Sequence, residues 1–187
     1  MRIIGGKFKG KKLIAPKDKE TRPLKDLTKE SIFNIINHSN KFSIDIKKAY
    51  VLDLFSGVGS FGIECLSQGA SHVTFIEKYE GVLPILKNNL NNLKSEINYE
   101  IIESDILNKF EFKSLKLRYD IIFLDPPYKE RSLENILDTI IKNKIIKDNG
   151  IIIIHRHKKE TDIFPKNFKL IEEKKYGISK IIFGSCS

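Results

Sequence analysis

Three observations predict an α/β fold built on a doubly wound, mostly parallel sheet. Short apolar runs of the buried-strand type alternate with helical periodicity from residue 50 to residue 154. The first run, residues 50–54, ends in a glycine-rich turn that opens a helix. The last two runs, 168–174 and 178–183, flank Gly177 as a hairpin, which adds an antiparallel strand to the edge of the sheet.

In chain order, residues 1–15 read as short extended pieces, Ile3-Ile4, Lys7-Phe8-Lys9 and Lys12-Leu13-Ile14, punctuated by Gly5-Gly6 and Gly10: a hairpin signal. A polar connector bounded by prolines, 16–23, leads into a helix over 24–37. Its apolar positions are Leu24, Leu27, Ile32, Phe33, Ile35 and Ile36, and Thr28 is the alternative cap of a shorter helix. Strands are predicted at 50–54, 73–76, 99–102, 120–124 and 150–154. Helices are predicted at 59–68, stopped by Gly69, at 81–93, with a core stripe of Leu83, Leu86, Leu90 and Leu93, and at 133–141. With the closing hairpin the sheet has seven strands.

Composition narrows the function. The 187 residues are 41% hydrophobic and 30% charged, enough for a core and unlike a disordered chain. No apolar run reaches the ~20 residues that span a bilayer. Met1-Arg2-Ile3-Ile4-Gly5-Gly6 lacks the apolar core of a signal peptide, and Cys65 and Cys186 form neither a disulfide framework nor a metal-ligand spacing. A cytoplasmic protein without a structural metal is expected. The net charge of +9 is lopsided: residues 1–50 hold 13 Lys and Arg against 5 Asp and Glu, whereas the remainder is nearly neutral. Few of the bases are arginine, which points to a Lys-rich, Ile-rich genome; that bias does not explain the asymmetry. A basic end on a neutral body suits a polyanion.

Two motifs carry chemistry. In Asp53-Leu54-Phe55-Ser56-Gly57-Val58-Gly59-Ser60-Phe61-Gly62, three glycines at G-x-G-x-x-G spacing follow a strand and precede a helix, and Glu77 lies 20 residues beyond Gly57. This is a nucleotide fingerprint in its proper context, with the acid placed for ribose hydroxyls. Asp53 separates the candidate ligands. It puts a carboxylate where a dinucleotide would put its pyrophosphate, whereas S-adenosylmethionine (SAM) presents an ammonium and a sulfonium there. Asp105 after the third strand is either an acceptor for an adenine amino group or a helix N-cap before Ile106.

The second motif is Asp125-Pro126-Pro127-Tyr128, at the end of the fourth strand. Two prolines make a rigid loop that lacks two backbone donors. The Asp125 carboxylate and a proline carbonyl can both accept from one exocyclic amine, turning its lone pair toward a methyl sulfonium and stabilising the charge that develops. Tyr128 supplies an aromatic face for a base drawn out of its stack. No metal and no unusual base is required, since the proton leaves after methylation. The later run His155-Arg156-His157-Lys158-Lys159 reads as a solvated basic loop, and Cys65 as a small core residue.

The glycine loop, Glu77 and the Asp-Pro-Pro-Tyr loop resemble motifs I, II and IV of class I SAM-dependent amino-methyltransferases, which have a Rossmann-like sheet. The N-terminal stretches RIIGGKFKGKKL and TRPLKDLTKESIFN further resemble the RsmD family, whose members methylate the exocyclic N2 of a guanine in 16S ribosomal RNA. The resemblance implies that Asp53, Gly57, Gly59, Glu77, Asp105 and Ile106 line the SAM site and that Asp125 to Tyr128 hold the guanine. It implies RNA contacts from Arg2, Lys7, Lys9, Lys11, Lys12 and Arg22. Residues 1–40 would form the RNA-contacting hairpin and helix, and 41–187 the catalytic domain. The chain would act as a monomer on 16S ribosomal RNA or the 30S particle. It departs from the family pattern at Val58, Leu24 and Lys29, read as changes in loop packing and substrate contact. DNA adenine or cytosine amino-methyltransferases share the Asp-Pro-Pro-Tyr loop, but no segment is long enough for a separate sequence-reading domain. An NAD(P)-dependent oxidoreductase would use the same glycine loop.

Overall fold

A computed structural model describes residues 1–16, 24–127 and 132–186. One seven-stranded sheet organises them: β1 (Tyr50–Leu54), β2 (His72–Glu77), β3 (Tyr99–Glu103), β4 (Tyr119–Leu124), β5 (Ile146–His157), β6 (Phe168–Tyr176) and β7 (Ser179–Cys186), in the order β3-β2-β1-β4-β5-β7-β6. The first five are parallel and β7 is antiparallel to both neighbours. The closing hairpin extends the parallel part beyond β5 as predicted, with β7 against β5 and β6 at the edge itself. Burial explains the choice: Ile181, Ile182 and Phe183 of β7 are fully buried, whereas β6 reads Phe-Lys-Leu-Ile-Glu-Glu-Lys-Lys-Tyr, a charged strand of the sort that blunts a sheet edge.

Alternation along the strands builds two cores. Val51, Ile121, Phe123, Ile151, Ile153, Ile181 and Phe183 face the side covered by α1 (Asp26–His38), α2 (Ser60–Ser67) and α3 (Leu83–Asn91). Leu52, Leu54, Ile122, Leu124, Ile152, Ile154 and Ile182 face α4 (Leu133–Lys142). On the first side, Phe61 stacks on Phe123 at 4.1 Å between ring centroids and on Phe33 at 5.4 Å, joining α2 to β4 and α1.

The N-terminal hairpin is reduced to one antiparallel bridge, Arg2 to Lys12, around turns at 5–10. It shares the first core: Ile3 and Leu13 are buried with Leu24, Ile32, Phe33 and Ile36. Helix α1 covers the predicted span, but Leu27 is 78% exposed and no side chain caps the helix start. Buried polar groups hold this segment down. Glu64 of α2 accepts from the Ile4 and Gly5 amides at 2.9 and 2.8 Å and pairs with Lys29 at 3.3 Å, both side chains being fully buried; Lys29 also donates to the Arg2 carbonyl at 2.7 Å. Leu24, Lys29 and Val58 are all buried. Their places are in the packing, and the Lys29 side chain, fully buried against Glu64, is turned away from any substrate surface.

Candidate active site

The sheet runs outward in opposite directions from β1 and β4, and a crevice at the carboxyl ends of such strands is where open α/β sheets bind ligands. Asp53 and Asp125 flank that point. Asp53 pairs in register with Phe123, and the Asp125 amide donates to the Leu54 carbonyl at 3.3 Å.

The glycine loop has the backbone its glycines permit. Gly57 and Gly59 have φ of 54° and 83°, and a Cβ at Gly59 would come within 2.5 Å of the Leu86 side chain. Gly62 is needed for packing, since a Cβ there would lie 2.3 Å from the Phe75 ring. Phe55 also has a positive φ, 60°, a strained state for a bulky residue and one that its sequence did not signal.

Three carboxylates gather round this loop. Asp53, 1% exposed, accepts from the Gly62 amide at 2.9 Å. Burial holds its carboxyl well above the usual range. The Gly62 amide opposes that shift, and the nearby charges of Asp125 and Glu77 add to it. Glu77 accepts from the Gly57 amide at 2.7 Å and from the Lys78 and Tyr79 amides at 2.8 Å each, so it is locked against the loop. Ser60, at the start of α2, has a buried hydroxyl with no hydrogen-bond partner among the described residues. Crowded carboxylates and an orphaned hydroxyl suit a ligand that is cationic and polar, as the amino-acid end of SAM is.

Asp105 caps no helix, because residues 106–109 form a turn, and its carboxylate holds that turn: it accepts from the Leu107 amide at 3.0 Å, from Asn108 at 2.9 Å and from Lys78 at 3.1 Å. The Asn108 side chain, more than the Leu107 amide or Lys78, holds its carboxyl below the ordinary value, so it is ionised at neutral pH. Ile106 is buried beside it in the second core.

At the end of β4, Pro126 is buried and Pro127 exposed, while Tyr128 lies outside the described residues. Among the described residues, Asp125 is held by a strand outside its own loop. His155 Nδ1 stands 2.8 Å from Asp125 Oδ1, and Arg156 donates to the Pro127 carbonyl at 3.2 Å. The basic run is consequently not a solvated loop over its first residues. β5 continues to His157, and His155 and Arg156 are only 7% and 3% exposed. Cys65 is a core residue as expected; burial pushes its thiol well up, so it is protonated.

The described residues of the predicted RNA set share the N-terminal hairpin, where Arg2 is bridged to Lys12 and both Lys7 and Lys11 stand over the Phe8 ring. Lys7 and Lys11 reach Ser95 and the Asn92 carbonyl, between α3 and β3, at the sheet edge where parallel strands begin and the crevice is absent. Lys9 and Lys12 are exposed, and Arg2 sits beside Asp26. Ile14 bonds to Asn89, whose side chain also donates to the Val58 carbonyl in the glycine loop. Arg22 lies outside the described residues.

This strand order, with its glycine loop and the loop ending β4, is the fold of the class I methyltransferases. A putative methyltransferase from Escherichia coli has a similar structure, with a TM-score of 0.80 at 30% identity over 100% of this chain and 97% of that one. A putative methylase from Haemophilus influenzae gives 0.75 at 32% identity, over 98% and 96%. In sequence, the ribosomal RNA small subunit methyltransferase D of Haemophilus influenzae is 34% identical over 179 residues, 95% of this chain and 90% of that protein. Residues 1–185 match the family described as conserved hypothetical protein 95. The chain belongs to that family, the RsmD family.

Proposed function

We propose that this protein is a SAM-dependent methyltransferase that methylates the exocyclic N2 of a guanine in 16S ribosomal RNA of the small subunit. The observation that carries the reading is the juxtaposition of a rigid Asp125-Pro126-Pro127 loop with a ring of carboxylates at the crevice. SAM, when bound, supplies an electrophilic methyl group on a sulfonium. Asp53 and the Ser60 hydroxyl face its charged amino-acid end, Gly57 and Gly59 allow close backbone approach, and Glu77 takes the ribose. Asp105 and Ile106 border the adenine. The same carboxylates would repel the pyrophosphate of a dinucleotide.

Asp125 accepts a hydrogen bond from the guanine amine and becomes more valuable as that nitrogen gains positive charge. A loop carbonyl is its second acceptor, and Tyr128 stacks on the base. Residues 1–40 serve RNA contact through Arg2, Lys7, Lys9, Lys11, Lys12 and Arg22, and residues 41–187 carry the transfer. Ribosomal RNA as substrate makes the site of action cytoplasmic, and the chain works as a monomer.

Single-turnover transfer to purified 30S particles from a strain lacking the gene tests this, with the modified base mapped by mass spectrometry. Asp125→Asn should lower the rate by about 10²–10³ and Asp125→Ala by more, with SAM affinity little changed. Absence of transfer to 16S ribosomal RNA rejects the substrate. Near-normal rates in both variants reject the role of the loop.

A further inference from the structure

Successive residues of a strand leave opposite faces, and at the end of β5 both faces reach the Asp125-Pro126-Pro127 loop. His155 lies on the α2 side with Asp53 and Asp125, following Ile151 and Ile153 in the alternation. Because its partner is a carboxylate, the 2.8 Å contact makes Nδ1 the protonated ring nitrogen: it donates to Asp125 Oδ1. Arg156 lies on the α4 side. Its Nε donates to Asp162 Oδ1 at 2.9 Å while another guanidinium nitrogen donates to the Pro127 carbonyl at 3.2 Å. Asp162 in turn pairs with Lys180 at 2.8 Å, and Lys180 is the cross-strand neighbour of Arg156 on β7. The side chains of Arg156, Asp162 and Lys180 are 3%, 2% and 7% exposed.

Burying two cations and an anion is costly unless each is paired and hydrogen-bonded. Here the reward is geometric. A planar guanidinium clamped by Asp162 has no freedom to swing, so it fixes the Pro127 carbonyl in a way that a flexible lysine could not. The imidazole likewise fixes the rotation of the Asp125 carboxylate.

We propose that His155 and Arg156 are positioning residues that set the Asp125-Pro126-Pro127 loop for the incoming amine, His155 by aiming the Asp125 carboxylate and Arg156 by taking the Pro127 carbonyl. This rests on the methyltransferase reading above. One consequence is that Pro127 directs one carbonyl lone pair to Arg156, leaving Asp125 and the remaining carbonyl capacity of the loop for the amine. Methyl transfer needs acceptor and donor atoms aligned at close range, and small displacements of a supporting residue are felt strongly in rate.

His155→Leu removes the donor to Asp125, while His155→Asn offers an amide N–H near the place of Nδ1. We expect His155→Leu to lower the single-turnover rate on 30S particles by about tenfold to a hundredfold, with SAM affinity unchanged, and His155→Asn to recover most of that loss. Arg156→Lys should lower the rate with SAM affinity unchanged, because a single flexible ammonium nitrogen cannot reproduce the fixed fork that places separate guanidinium nitrogens on Asp162 and Pro127. Arg156→Met paired with Asp162→Asn keeps the local charge balance should Arg156→Lys fail to fold, and predicts the same loss. A rate within twofold of wild type for His155→Leu and for the Arg156 variants overturns the proposal, as does an asparagine variant no better than leucine. A readout independent of turnover separates this from failure of the methyltransferase reading. The His155 ring ¹⁵N–¹H correlation should show a protonated Nδ1 with a strongly downfield proton that is lost in Asp125→Ala. If wild type transfers no methyl group but this signal behaves as stated, the substrate assignment fails and the His155 contact stands. If the Asp125→Ala spectrum matches wild type, the contact itself is refuted.

Discussion

Replacing Lys29 by methionine tests whether one buried ion pair ties residues 1–16 to the sheet. Lys29 and Glu64 are both fully buried at 3.3 Å, and Glu64 also accepts from the Ile4 and Gly5 amides and from Gln68. Methionine fills much of the volume of the lysine stem, so the main loss is the ammonium. Removing one partner of a buried pair costs about 3–5 kcal/mol, because the other charge stays behind uncompensated. The donors remaining on Glu64 favour the lower end, about 3 kcal/mol. For a domain of this size each kcal/mol shifts Tm by about 2–4 °C, so a fall of about 6–12 °C is expected. Adding Glu64→Gln removes the stranded charge and keeps an acceptor oxygen for one of the two hairpin amides, which bond to different carboxylate oxygens. It should therefore recover part of the loss, giving a coupling energy of about 1–3 kcal/mol in the double-mutant cycle. Reversible urea and thermal unfolding followed by circular dichroism measures both. A Lys29→Met protein melting within about 2 °C of wild type, or a double variant less stable than the single one, refutes the reasoning.

Two other outcomes follow from charges already placed. The Asp53 carboxyl is held above its ordinary value chiefly by burial, so the folded state favours its protonated form. The stabilisation from that proton is fully present below the ordinary carboxylate range and is lost as pH rises through the raised value. Asp53→Asn should accordingly melt higher than wild type at neutral pH, with the gap closing toward acid, while SAM raises its Tm less; a pH-independent gap in scanning calorimetry contradicts this. Neutralising Lys7, Lys9, Lys11 and Lys12 together should weaken RNA binding and flatten its salt dependence with SAM affinity unchanged, since fewer phosphate contacts release fewer counterions. Because Lys7 and Lys11 sit at the sheet edge away from the crevice, an unaltered salt slope in filter-binding titrations would move the RNA surface elsewhere.

What could be read in advance was local. The glycine loop and Glu77 follow from spacing alone, since turn, helix start and acid all fall within a single β1–α2–β2 stretch and need no distant partner. The strands of the parallel half were legible because both of their faces are buried, which leaves an unbroken apolar run such as Ile121–Leu124. The turn role of Asp105 remained open in the sequence because a turn residue and a ligand acceptor use the same carboxylate. Lys29 was misread for a different reason: a lysine on an amphipathic helix is ordinarily solvated, and its partner Glu64 is 35 residues away on another helix.

The basic run was misread because its partners are brought in by the fold. The parallel partner of β5 ends at the Leu124–Ile154 pair, and the apolar run that marks β5 in the sequence ends there too. In the structure β7 lies directly against β5 and pairs Ile152–His157 with Gly184–Ser179, so three further residues become strand. That extension turns His155 toward Asp125 on one face. On the other it sets Arg156 opposite Lys180, with Asp162 between them. Isolated in sequence, His-Arg-His-Lys-Lys holds three cations, Arg156, Lys158 and Lys159, whose cheapest state is hydrated. The end of β4 brings Asp125 to His155 and the segment after β5 brings Asp162 to Arg156, while β7 contributes Lys180 and so completes the clamp beside the loop that receives the base.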